Sequence, residues 1–123
     1  NQAVAVSDYP DRDFKIQPEP VIQDWDTEDV SMWYDQFSAR FYAIFHAHTY
    51  IGMMTSINGV NWQKAIDFTV MNKRIAQTGG NPDILPDRME RPFVFNENNK
   101  PIALSLAVKK DNDAYIVIVP LKQ

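Results

Sequence analysis

The sequence predicts an all-β fold of antiparallel strands, and three observations carry that reading. Runs rich in aromatic and β-branched residues follow one another along the chain, as in VSMWYD and AYIVIV. Clusters of Gly, Pro, Asn and Asp separate these runs at hairpin-like intervals, among them Asn58-Gly59, a strong short-range hairpin signal. No amphipathic pattern at the helical period lasts long enough to compete.

Residues 1–20 hold Pro10, Pro18 and Pro20, and the weak alternation around Phe14 and Ile16 reads as an extended arm or edge strand, because proline is kept out of central strands. VSMWYD (30–35), a polar turn at 36–39 and RFYAIFHAH (40–48) read as a hairpin. TYIGMMTS (49–56) ends at Asn58-Gly59 and leads into VNWQKAIDFTVM (60–71), so residues 21–71 read as a four-stranded meander. The segment 72–89 is rich in Gly, Pro, Asn and Asp and reads as a loop with room for one helical turn. The pattern restarts over 90–123 with ERPFVFNE, a turn at Asn98-Asn99, KPIALSLAVKK, a turn at 111–113 and AYIVIVPLKQ.

A chain of 123 residues that is 45% hydrophobic and 23% charged fits one soluble globular domain with a modest core. Its formal charge of -4, without any Lys/Arg cluster, argues against nucleic acid or an anionic membrane surface as the partner. A neutral or cationic partner fits better. No apolar run reaches the roughly 18 residues of a transmembrane helix, and NQAVAVSDYP lacks the basic start and apolar centre of a signal peptide. The sequence holds no cysteine, which excludes disulfides, thiolate catalysis and cysteine-ligated zinc.

The restart carries a faint repeat. Glu28-Asp29-Val30, followed by Trp33, Tyr34, Asp35 and a turn, resembles Glu90-Arg91-Pro92, followed by Phe95, Asn96, Glu97 and a turn, at an offset of roughly 60 residues. Such recurrence suits a β-propeller, whose blades are four-stranded meanders opening at a central axis. One full blade (21–71) and an incomplete next blade (90–123) fall short of the roughly four blades a ring needs. Either the remaining blades come from the same polypeptide or from another chain, or the sheet folds on itself as a sandwich, since unpaired edges would otherwise invite aggregation.

In that geometry an acid at the start of each innermost strand points into a shared channel. Asp29 and Glu90 then form a carboxylate pair suited to glycosidic bond hydrolysis, where one group protonates the leaving oxygen and another activates water or stabilises the charged sugar. Strand alternation sends Glu28 and Asp29 to opposite faces, and Asp29 is the one assigned to the channel. His46 and His48, on one face of a strand, suit a sugar hydroxyl or a metal, although without a third ligand in sequence a structural, hydrogen-bonded role competes. Trp25, four residues before Asp29, suits stacking on a sugar face, whereas Trp33 and Trp62 fit blade packing. Glu90 beside Arg91 also suits a plain ion pair or turn cap.

The acid-opened strand EDVSMWYD, the turn TSINGVNW, the Glu-x-Pro strand MERPFVF and the stretch ALSLAVKKDNDAYIVIVPL resemble, in order and spacing over roughly residues 20–120, five-bladed propeller glycoside hydrolases of the family 43 type. They look closest to the C-terminal blades of the family 117 relatives, which act on anhydrogalactose-containing algal oligosaccharides. The resemblance implies that Glu90 is the general acid and that Asp29 is the second acid, which tunes and orients it. It also implies a general base from an earlier blade outside this sequence, and the substrate contacts expected beside the acids are Trp25, His46, His48 and Arg91. The family 117 pattern often has His immediately before the Glu, where this chain has Met89.

The expectation is thus a secreted or periplasmic glycoside hydrolase acting on a polysaccharide or oligosaccharide, represented by its C-terminal blades and inactive as an isolated chain. No metal ligand is assigned and no cofactor is required, with room for a divalent cation in the channel. The alternative is a noncatalytic carbohydrate-binding or structural propeller fragment.

Overall fold

The computed structural model describes residues 1–23 and 27–122. Among them lie three antiparallel sheets and no helix. Strands β1 (Ala5–Val6) and β2 (Lys15–Ile16) form a small pair in the arm. Strands β3 (Glu28–Asp35), β4 (Arg40–His46), β5 (Tyr50–Ser56) and β6 (Gln63–Asn72) form a four-stranded meander. Strands β7 (Arg88–Glu97), β8 (Lys100–Lys110) and β9 (Asp113–Pro120) form a three-stranded one. The sheets do not close into a propeller ring.

The turns explain why each strand pairs with its neighbour in sequence. Asp35 ends β3 by accepting the Phe37 N–H on Oδ1 at 3.1 Å and the Ser38 N–H on Oδ2 at 3.2 Å, an Asx-type turn that reverses the chain. Ser56 Oγ accepts the N–H groups of Asn58 and Gly59, while Asn58 Oδ1 accepts those of Val60 and Asn61. Gly59 supplies a φ of 75°, and Trp62 Nε1 donates to its carbonyl at 2.9 Å. Between β7 and β8, Asn98 and Asn99 both lie at positive φ (49° and 60°), as a two-residue turn of the primed kind requires. The segment between β6 and β7 forms no helical turn. Ile75 and Ile84 exchange two backbone hydrogen bonds of 2.9 Å instead, and Arg74 pairs with Asp83.

The main core lies between the two larger sheets. Alternation along β8 buries Leu104, Leu106 and Val108 against Ile44 of β4 and Ile51 of β5, with Val94 of β7 and Trp33 of β3 alongside. Burial of such side chains stabilises by about 1.5–3 kcal/mol each. The opposite face of the four-stranded sheet buries Ala43, Phe45 and Met54 under Ile22 of the arm. Covered on both sides, β4 is buried without interruption from Ala43 to His46. The outer face of β7–β9 carries Phe93, Phe95, Ile116 and Ile118, all exposed.

Two matching irregularities break the pleat. On β3 the register shifts between Glu28, opposite His46, and Ser31, opposite Ile44. On β7 it shifts between Glu90, opposite Ala107, and Phe93, opposite Ser105. Each is a β-bulge, three steps along one strand against two on its partner. Each holds a non-glycine residue in the left-handed region, Asp29 at φ 50° and Arg91 at φ 51°.

Candidate functional site

The two bulges stand side by side at one end of the sheet pair. Arg91 Nε lies 3.9 Å from Asp29 Oδ2. Left-handed backbone costs a side-chain-bearing residue roughly 1–2 kcal/mol, and two such residues facing each other at the start of adjacent strands mark a place where local stability is given up for position. The bulge also overturns the expectation that Glu28 and Asp29 face opposite ways. His46, opposite Glu28, has Glu28 Oε2 at 3.7 Å from Nε2 and Asp29 Oδ2 at 3.5 Å from Nδ1. Alternation fails because the extra residue at the bulge resets which way the chain points.

The His46 ring is buried, and Nδ1 has no hydrogen-bond partner. The β3–β4 ladder holds the Glu28 and Asp29 carboxylates against the two ring nitrogens, at 3.7 Å and 3.5 Å, too close for another group to enter between them. Glu28, His46, His48 and Glu90 line one cavity of about 340 Å³, with Asp87, Arg88 and Met89 completing its far wall. Arg88 Nε donates to Glu90 Oε1 at 2.6 Å, a charge-assisted bond that fixes the carboxyl and leaves Oε2 without a hydrogen-bond partner among the described residues.

Of the residues singled out from sequence, Glu90, His46 and His48 line this cavity, and Asp29 and Arg91 meet beside it. His48 is not on a strand face with His46. Strand β4 ends at His46, and Ala47 N–H donates to the Tyr50 carbonyl at 2.9 Å, which turns the chain and leaves His48 exposed at the tip. Trp25 lies outside the described residues. Trp33 and Trp62 both pack against the cores: Trp33 stacks on Tyr42 at 5.5 Å beside the main core, and Trp62 sits against the second core.

Sequence reasoning passed over Glu28 and Arg88. For Arg88 the signal was present, since Arg88 and Glu90 are two apart on a strand and share a face. At the other end of the sheet pair, a wider cleft of about 980 Å³ is lined by Trp33, Tyr42, Asp67, Asn99 and Lys100, with none of the predicted site residues.

Among the described residues no group of three or more His, Asp or Glu is arranged to hold a metal ion. The described residues hold no helix long and apolar enough to cross a membrane, which leaves strand-built spans unaddressed. Comparison with protein-family models, with curated proteins and with solved structures returns no match for this chain.

Proposed function

We propose that the chain forms one side of a carbohydrate-active site of the glycoside hydrolase type, with Glu90 as general acid and Asp29 as the acid that modulates and orients it. In this proposal the two packed sheets are neighbouring blades of a propeller in a secreted or periplasmic protein. The observation that carries the reading is the meeting of Glu28, His46, His48 and Glu90, from segments far apart in sequence, around one cavity of about 340 Å³. A sugar ring presents hydroxyls that both donate and accept. The carboxylates of Glu28 and Asp29 accept, and the guanidinium of Arg91 donates, so partners of both kinds are offered.

Arg88 holds Glu90 through Oε1, so Oε2 is the oxygen assigned to carry the proton to the glycosidic oxygen. The complementary base, about 6.5–9.5 Å away for an inverting reaction, is assigned to another blade. His48, at its turn, and Trp25 are the outer substrate contacts in this reading. The test is hydrolysis of a panel of neutral oligosaccharides by the full-length protein and by its Glu90→Gln variant. Loss of turnover with retained binding supports the assignment, and undiminished turnover rejects it.

A binding site without turnover is the second reading, favoured by the engagement of Asp29 with both His46 and Arg91. It predicts oligosaccharide binding that survives Glu90→Gln and no hydrolysis by any form of the protein.

A further inference from the structure

The relation between the two larger sheets can be written residue by residue, because the bulges align Glu28 with Glu90 and Asp29 with Arg91. On that alignment Trp33 corresponds to Phe95 and Met32 to Val94. Trp33 lies on the face of the four-stranded sheet that receives β7–β9, and Val94 lies on the face of β7–β9 that is received. The junction inside the chain therefore joins a Trp33-type face to a Val94-type face. Each type also occurs once more, open on the second sheet and part-covered on the first. The Trp33-type face of the second sheet carries Phe93, Phe95, Ile116 and Ile118, which are 51%, 57%, 64% and 65% exposed. Across it, β8 presents only Ala103, Ser105 and Ala107, so large side chains on β7 and β9 flank a shallow trough. The Val94-type face of the first sheet is covered over β4 and β5 by the arm but left open along β3, where Met32 is 58% exposed.

The equivalence extends to the polar ends. Glu28 lines the cavity between the sheets, and its counterpart Glu90, with Arg91 and Ile116, also lines a depression of about 440 Å³ on the outer face. A contiguous exposed apolar patch rimmed by polar residues is a feature of interaction surfaces. An open outer face and an open β3 side on one chain, of the two types that already meet in the junction within it, are an arrangement that generates heterologous contacts. We infer that this chain associates head to tail with further copies of itself, the outer face of β7–β9 on one copy packing on the β3 side of the four-stranded sheet of the next. It is tested without any sugar.

The measurement is molar mass by light scattering on the 123-residue chain, whose monomer is 14.2 kDa. The wild-type chain is expected at two or more times that mass. Met32→Glu and Phe95→Glu, each at an exposed position, are expected to return it to monomer with unchanged far-ultraviolet circular dichroism. If Phe95→Glu alters the spectrum, Ile118→Glu takes its place. An equimolar mixture of the two variants is expected to recover a dimer and no larger species, because one copy keeps the outer face and the other keeps the β3 side. A wild-type monomer at all concentrations up to millimolar overturns the inference. So does a mixture that stays monomeric, or either variant keeping the wild-type mass, which is the mark of like faces pairing with like.

Discussion

Asp29 and Arg91 hold the same place in two neighbouring strands. Both lie in a β-bulge near the strand start, both have left-handed backbone (φ 50° and 51°), and Arg91 Nε stands 3.9 Å from Asp29 Oδ2. One bulge thus offers an anion where its counterpart offers a cation.

The backbone at Arg91 should be relieved by glycine. The side chain is largely exposed and its pairing with Asp29 is long, so little packing is lost, while the left-handed φ no longer meets a Cβ. Arg91→Gly is expected to leave stability unchanged or raise it by up to about 1 kcal/mol, whereas Arg91→Val should lower it by about 1–3 kcal/mol. Urea denaturation of the two variants reads both.

Gly52 is required for a different reason. A Cβ built there would come within 2.7 Å of Phe45 Cε2 and 3.1 Å of Tyr50 Cε2, and Phe45 is wholly buried. Gly52→Ala should cost about 1–3 kcal/mol by overpacking. A midpoint equal to wild type in thermal denaturation would show that the Phe45 ring has somewhere to go.

Leu106 is fully buried between the two larger sheets. Leu106→Ala should lower unfolding free energy by about 2–5 kcal/mol. The same change at Leu85, which is exposed, should register at under about 0.5 kcal/mol, so the pair locates the core by equilibrium unfolding.

The carboxyl of Asp35 is held below its ordinary value, chiefly by the Ser38 hydroxyl, against a smaller opposing effect of burial and with help from the Phe37 and Ser38 N–H groups. A carboxyl whose folded value is depressed stabilises above its unfolded value and loses that contribution as pH falls through the folded one. Asp35→Asn should therefore destabilise at pH about 7 and converge on wild type below about 4, towards the acid end of the carboxylate range. Denaturation midpoints taken across that interval should show the two curves closing, and a constant gap would assign the effect to turn geometry instead.

The strands were legible because their causes are local. Asn58-Gly59 and Asn98-Asn99 carry their turn chemistry in the residues themselves, and β8 shows its buried face by alternation at Leu104, Leu106 and Val108. The bulges were not legible. Nothing in Glu28-Asp29-Val30 announces a left-handed Asp29, so the period-two rule discarded Glu28, which the structure brings to His46. The same locality misled at His48, where strand periodicity was extended past a turn fixed by the Ala47 N–H to Tyr50 carbonyl bond. The cover of Phe45 by Ile22 was likewise hidden, since it depends on a contact between distant segments that no window of sequence contains.

Every strand in the two larger sheets is hydrogen-bonded only to the strand next along the chain. Closing such neighbours costs little loop entropy, so each sheet can assemble on its own during folding. What remains is to bring Leu104 and Leu106 onto Ile44 and Ile51 across the long segment after β6. That docking is the step with the largest span to close, so lengthening the segment between β6 and β7 is expected to slow folding.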